Sequence, residues 1–213
     1  MQHIATVLDH GFEYIGGDLS ADFTNTRSGR YETPGHEHIQ TYADVVEFAR
    51  QGGALSAAEA KRLLAEAASR PERATPMYRR AIALREAIWR AFARFAEGKD
   101  AAPGDIEIIG VEAAAAFANA RVVKVGNGFG WEWPEGGDLA RPLWPIARAA
   151  SDVLTNDHDR DLIRECKDDT CAWLFVDRTK NHTRRWCEME TCGNRAKQAR
   201  LRQREKKLAR TAR

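Results

Sequence analysis

Residues 166–194, CKDDTCAWLFVDRTKNHTRRWCEMETCGN, hold all four cysteines of the chain. The cysteines form two pairs, Cys166 with Cys171 and Cys187 with Cys192, and each pair encloses four residues. Two closely spaced thiol pairs separated by a short span are typical of a tetrahedral zinc site with four thiolate ligands. The stretch therefore predicts one structural Zn²⁺ bound by all four cysteines.

The residues between and after the pairs predict a small zinc finger. Residues 173–176 are apolar and β-prone, residues 177–181 are polar enough to turn, and residues 184–186 can return as a second strand. Good helix formers follow Cys192, so we expect this ligand near a helix start. A hairpin followed by a ligand-bearing helix is a treble-clef-like unit of roughly fifty residues, too small to fold on a hydrophobic core alone.

These residues closely resemble the CGNR zinc-finger family of bacteria. The resemblance is carried by residues 171–181, CAWLFVDRTKN, by residues 184–187, RRWC, and by residues 192–197, CGNRAK. In that family an N-terminal domain called ABATE precedes the finger. The resemblance implies zinc binding by the four cysteines, DNA binding, and a role as a stress-related transcription regulator.

Two disulfides or a thiol redox pair are the alternatives for the cysteines. Residues 1–17 have no continuous apolar core, so we expect no secretory signal and a cytoplasmic protein, in which disulfides are disfavoured. A redox pair would favour an interval of two residues between its cysteines. The chain also lacks a run of about eighteen apolar residues, so we expect no membrane span.

Charge divides the chain into two parts. Residues 178–213 contain thirteen Lys or Arg and three Glu, a local net charge of +10, whereas residues 1–177 carry a net charge of −8. A strongly basic segment after a zinc finger favours nucleic acid as its partner. The candidate contacts are Arg184, Arg185, Arg195, Lys197, Arg200, Arg202 and Arg204.

The N-terminal part predicts a mostly helical α+β domain. We expect a strand over residues 12–17, an exposed loop over residues 28–38 that includes His36 and His38, and a hairpin over residues 122–133. Helices are expected after the cap Asp18 or Ser20, over residues 41–50, 56–69, 105–119 and 141–155, and after the Thr75–Pro76 cap as far as Gly98, with a further turn or two from residue 157. The predicted units are residues 1–155, a finger at residues 156–196 and a basic helical tail at residues 197–213.

Two short motifs of the N-terminal part resemble signatures of the ABATE domain. They are Asp22-Phe-Thr-Asn-Thr26 and Arg85-Glu86. Asn25, Thr26 and Arg85 are therefore candidates for a pocket that binds an acidic or polar metabolite. The structural alternative is that Asn25 and Thr26 bond to local backbone groups and that Arg85 pairs with an acidic neighbour.

The sequence contains no recognisable catalytic arrangement. It has neither a phosphate-binding glycine loop nor a His-Glu-x-x-His motif nor a nucleophile elbow, so we expect no enzyme. His182 lies beside the predicted zinc site, but the second His and the Asn of treble-clef nucleases are missing. The leading hypothesis is a DNA-binding regulator with an N-terminal sensing or assembly domain. An RNA-binding or ribosome-associated module and a protein-interaction adaptor with a structural zinc are the alternatives.

Overall fold

The computed structural model describes residues 11–30 and 35–211 of the chain. Its helices are α1 (Leu19–Asn25), α2 (Tyr42–Gln51), α3 (Ala57–Ser69), α4 (Pro71–Ala96), α5 (Pro103–Ala118), α6 (Leu143–Thr155), α7 (Asp157–Asp161) and α8 (Asn194–Thr211). Its strands are β1 (Arg27–Ser28), β2 (His36–Glu37), β3 (Arg121–Val125), β4 (Gly128–Glu132), β5 (Ile163–Glu165) and β6 (Leu174–Val176). These strands form three antiparallel pairs, β1–β2, β3–β4 and β5–β6. The predicted α+β class is confirmed.

Side-chain caps fix the starts of three helices. Asp18 accepts a hydrogen bond from the Ser20 N–H at the start of α1. Thr41 and Ser56 form capping boxes with acidic residues three positions later, at the starts of α2 and α3. The sequence predicted these three starts, because each cap lies directly before a run of helix formers.

The predicted start of the central helix at Thr75–Pro76 is wrong. Helix α4 begins at Pro71, where a proline N–H is not needed, and continues through Pro76. Pro76 takes one backbone donor out of the helix, and the Thr75 hydroxyl donates to the Pro71 carbonyl at 3.2 Å. The other long helix of the domain, α5, runs without a break through Gly110, close to its predicted bounds.

Two other expectations about the N-terminal region are corrected. Residues 12–17 form no strand, because individual bonds satisfy their backbone, such as that from the Val176 N–H to the Gly16 carbonyl at 2.8 Å. Residues 28–38 are not simply an exposed loop: β1 pairs with β2, and His38 is buried against the Ser28 hydroxyl at 3.0 Å. The part of that expectation covering residues 31–34 lies outside the described residues.

Helix α4 lies at the centre of the main core. Its buried side chains, such as Leu84, Ile88 and Phe92, share one apolar cluster with residues of α1, α2, α5 and α6. The same cluster includes Ile163 of β5 and both Leu174 and Val176 of β6. The hairpin that carries the finger is therefore built onto the helical core.

The predicted strand partner inside the finger is also wrong. Strand β6 pairs with β5, which precedes the first cysteine, and residues 184–186 form no strand. The Arg184 N–H donates to the Asp177 carboxylate at 2.8 Å, so the backbone of this segment is held by a side chain instead of by pairing with a strand.

In the described part of the chain, no helix has the length and apolar character needed to cross a membrane.

Candidate metal centre and basic helix

The four cysteines converge on one buried point. Their sulfur atoms all lie within 4.8 Å of one another, with Cys171 and Cys187 Sγ 3.6 Å apart and Cys187 and Cys192 Sγ 3.5 Å apart. Zn–S bonds of about 2.3 Å in a tetrahedron place sulfur atoms about 3.8 Å apart, so the cluster fits Zn²⁺. The cysteines are free thiols, which confirms a single potential zinc site in place of disulfides.

Local backbone structure delivers each sulfur to this point. Cys166 directly follows β5, and its N–H donates to the Trp173 carbonyl at 2.8 Å, which extends the β5–β6 ladder by one bond. The Cys171 N–H donates to the Asp168 carbonyl at 3.0 Å, which closes a tight turn between the first two ligands. Cys192 lies in a π-helical turn, Met189–Gly193, immediately before α8. The expectation that the fourth ligand stands at a helix start is confirmed.

Arg195 joins two parts of the metal centre. Its Nη2 lies 3.1 Å from Cys192 Sγ, and its Nε donates to the buried Asp168 carboxylate at 2.7 Å. Hydrogen bonding by the three neighbouring thiols, assisted by Arg195, lowers the pKa of Cys192. Four thiolates around Zn²⁺ carry a net charge of −2, so a guanidinium at this position offsets part of that charge. Sequence reasoning missed Asp168. Its carboxylate accepts hydrogen bonds from the N–H and the hydroxyl of Thr170, two residues later, which is typical of an Asx turn.

Arg184 and Arg185 have different surroundings. The Arg184 guanidinium donates to the carbonyls of Ile15, Trp186 and Cys187 and lies 4.3 Å from the Phe175 ring centroid. Arg185 is exposed and lies over the Trp186 ring at 5.3 Å. Of these two candidate contacts, Arg185 is therefore the one presented to solvent.

Helix α8 leaves the metal centre and extends into solvent over residues 197–205. Residues 197–205 are all exposed, Arg200 lies 5.8 Å from the Trp186 ring, and Leu201 is 51% exposed. Within the described residues, no hydrogen bond or ion pair engages the side chains of Lys197, Arg202 and Arg204. The structure thus brings Arg195 to the zinc site and leaves the more distal candidates along an open helix.

The three candidate pocket residues do not all meet. Arg85 is 1% exposed and forks onto the Glu37 carboxylate with two contacts of 2.6 Å, and its Nη1 also donates to Thr26 Oγ1 at 3.2 Å. Asn25 is directed elsewhere, to the backbone of Leu174, where it accepts from the N–H and donates to the carbonyl, both at 2.9 Å. All three side chains bond inside the protein, and a ligand at this position stays a prediction.

Asn25 is one of several groups that fasten the finger to the helical domain. Trp89 Nε1 donates to the Ala172 carbonyl at 3.3 Å, and Arg178 Nη2 lies 3.6 Å from the Asp18 carboxylate. On the domain side, the buried Asp22 carboxylate accepts from the Gly16 N–H at 2.6 Å, and burial raises the pKa of Asp22 to about 7. The Asp22–Thr26 motif therefore holds the segment against which β6 lies.

Comparison with known families gives two matches. The ABATE model, described as "Putative stress-induced transcription regulator", matches residues 17–157, which is about two thirds of the chain. The chain belongs to the ABATE family. The CGNR zinc finger model matches residues 163–205 and includes all four cysteines and the first two thirds of α8. The comparison with curated proteins gives no match.

The two matches confirm the arrangement that the sequence motifs suggested. Residues Asn25, Thr26 and Arg85 fall inside the ABATE match, and Arg195 falls inside the CGNR match. In this ABATE protein, strand β6 belongs to the finger by sequence, yet Leu174 and Val176 lie in the core of the helical domain.

Proposed function

We propose that this ABATE-family protein regulates transcription by binding DNA through α8, with the zinc finger as the base that orients the helix. The observation that carries the proposal is a basic helix that begins at a zinc ligand and is solvated on every side from residue 197 to residue 205. A helix without a buried face gains little from packing on its own domain, so its sequence serves another partner.

Charge identifies the class of partner. Between Arg195 and Arg210 the helix has eight Lys or Arg against the single Glu205. Like charges three or four residues apart destabilise an isolated helix. The phosphates of a nucleic acid offset this repulsion, and the basic side chains release the counterions condensed on the nucleic acid. The helix of 18 residues is about 27 Å long, and the major groove of DNA, about 12 Å wide, admits an α-helix.

The basic residues divide into two groups by what they already contact. Arg184 bonds to the carbonyls of Ile15 and Trp186, and Arg195 bonds to Asp168 and Cys192. Both can therefore meet a phosphate or a base only from fixed positions. Lys197, Arg202 and Arg204 are free to follow the backbone of a nucleic acid. The proposal assigns non-specific affinity for nucleic acid to Lys197, Arg202 and Arg204, and orientation on the nucleic acid to Arg184 and Arg195. It includes no catalytic step.

The helical domain supplies sensing or assembly in this proposal. The buried Arg85 and Thr26 form a polar network with the partly exposed Glu37, next to the residues that fasten the finger. A change in that network would reach β6 through the end of α1. Thr26 bonds to Arg85, and the adjacent Asn25 bonds to Leu174 of β6.

Recovery of nucleic acid crosslinked to the full-length protein in cells tests the proposal. Discrete promoter DNA is the expected result. Enrichment of structured RNA would replace the regulator by an RNA-binding module, and recovery of neither would favour a protein-interaction adaptor with a structural zinc. A chain truncated after Lys197 is the matched control, because it keeps all four cysteines and Arg195 and removes the distal basic residues.

A further inference from the structure

Exposed apolar side chains are concentrated on α5 and on the β3–β4 hairpin. In the described part of the chain, twelve large apolar residues are exposed, and eight of them lie between residues 106 and 131. Phe129 is 80% exposed, and the ring centroids of Trp131 and of Phe117 on α5 lie 5.4 Å apart in an edge-to-face arrangement. Single exposed apolar residues are ordinary, but a set on neighbouring elements marks an interaction surface.

Among the described residues, no strand pairs with the outer edge of the hairpin. β3 and β4 form a sheet of only two strands in the described structure, and an isolated hairpin of this size is marginally stable in water. The strands are joined by a two-residue loop, Gly126 and Asn127, with Gly126 at a φ of +58°. The edge of β4 carries no Lys, Pro or bulge of the kind that protects free edges.

The register decides which backbone groups this edge presents. The residue pair that closes a two-residue hairpin loop, here Val125 and Gly128, is hydrogen-bonded, and the pairs alternate from there. Gly130 therefore bonds to Val123, whereas Phe129 and Trp131 turn their N–H and C=O groups away from β3. The two residues with free backbone groups are also the two aromatic residues of the strand.

We propose that β4 pairs antiparallel with β4 of a second copy of this chain, about a two-fold axis at Gly130. This register places Phe129 opposite the partner's Trp131 and Trp131 opposite the partner's Phe129. Each opposed pair exchanges two backbone hydrogen bonds, so the same four free groups on each copy satisfy one another. A two-fold interface needs such a self-complementary surface.

Charge and shape are compatible with this register. Arg121 keeps its bond to Glu132 of the same hairpin, at 2.7 Å, and Glu132 lies opposite the partner's Gly128, so no like charges face each other. Phe129, Trp131 and Val122 share one face of the four-stranded sheet, and aromatic cross-strand pairs stabilise sheets. The β3 edge does not offer this match, because a two-fold axis at Val123 would set Val122 against the partner's Lys124.

Sedimentation of the full chain and of two charge variants tests the pairing. The intact protein is expected to be a dimer that dissociates on dilution, and Phe129→Glu is expected to weaken it at least about tenfold. Leu64→Glu is the matched control, since Leu64 is 39% exposed but lies on α3, outside the hairpin. A monomeric intact protein, or a dimer unchanged in Phe129→Glu, would overturn the proposal.

Amide hydrogen exchange gives a residue-level test of the register. The amides of Phe129 and Trp131 are expected to slow at least about tenfold as concentration rises through the dimer midpoint, whereas the Gly130 amide is already bonded within the hairpin. Fast exchange at Phe129 and Trp131 in a protein that sediments as a dimer would place the dimer contact elsewhere and refute β4 pairing. Neither readout depends on nucleic-acid binding, so failure here and failure of the proposed function are distinguishable.

Discussion

The two longest helices of the protein, α4 and α8, are held in place by different means. Helix α4 has 26 residues and buries Leu84, Ile88 and Phe92 at the centre of the core. Helix α8 has 18 residues, and its residues 197–205 are all exposed. Its described contacts with the finger lie near its start, where Arg195 meets the metal centre and Arg200 lies over the Trp186 ring. An apolar stripe makes a helix part of the architecture, whereas a basic surface all round it makes a helix available to a partner.

The largest effect is expected from loss of the anchor of α8. Structural zinc in small fingers contributes on the order of 10 to 16 kcal/mol, so Cys187→Ser should abolish stoichiometric zinc and unfold the finger. Because Leu174 and Val176 lie in the main core, thermal unfolding of the helical domain should also shift to lower temperature. Metal analysis and calorimetry check both points, with Thr191→Ser as the control that keeps four thiols. One zinc per chain in a variant with all four cysteines replaced would contradict the site.

Loss of Arg85 is expected to give the largest effect on α4. Arg85→Ala removes a buried guanidinium from the carboxylates of Glu37 and Glu86 and leaves a cavity, which should lower the free energy of unfolding by about 2 to 3 kcal/mol. Arg79→Ala on the same helix is the control, because Arg79 is exposed and its loss should change stability by less than about 0.5 kcal/mol. Equal midpoints for the two variants in denaturant would show that the buried pair is not a structural contact.

The link between the two regions should be sensitive to Asn25. Asn25→Ala leaves the buried N–H and carbonyl of Leu174 without their partner, so we expect a loss of about 2 kcal/mol in unfolding free energy. The Leu174 amide should exchange with solvent faster in this variant. Asn119→Ala, which removes an exposed amide from the end of α5, serves as the control. An unchanged Leu174 exchange rate would mean that the Asn25 contact does not hold the finger.

A smaller effect is expected at the base of α8. Arg195→Gln removes the guanidinium from Cys192 and Asp168, and groups that support metal ligands typically contribute at least about tenfold to metal affinity. Chelator competition should therefore show about tenfold weaker zinc binding in Arg195→Gln and partial recovery in Arg195→Lys, which keeps the charge but not the fork. Arg202→Gln should behave as the intact protein. If Arg195→Gln binds zinc as tightly as the intact protein does, Arg195 does not support the zinc site and serves nucleic-acid recognition alone.

Local sequence signals predicted most of the fold. The caps Asp18, Thr41 and Ser56 fix helix starts, and the cysteine spacing indicates the zinc site, because these features act over a few residues. One error is local, because Thr75–Pro76 is typical of a helix start although α4 begins at Pro71. Other errors concern contacts between distant residues. The strand partner of Leu174 precedes the cysteines, and Arg184 reaches back to Ile15, so neither contact has a signature near its own position.

The candidate site was predictable to a similar degree. Its metal ligands follow from spacing, but the division of arginines between structure and surface does not, because Arg184, Arg195 and Arg202 look alike in sequence. His38 illustrates the same difficulty: its position in a polar stretch predicts exposure, yet the β1–β2 pairing buries it. Composition gives the charge of a segment, while packing decides which charges are free.

The most direct test of the central claim is the salt dependence of nucleic-acid binding by the intact chain and by the chain truncated after Lys197. The truncated protein keeps the zinc site and loses the basic residues from Arg200 onward. Each lost phosphate contact should lower the slope of log affinity against log salt by about one, so we expect weaker binding to all sequences and a slope reduced by several units. If the truncated protein binds DNA and RNA at physiological salt as the intact protein does, α8 is not the recognition element and the account is contradicted.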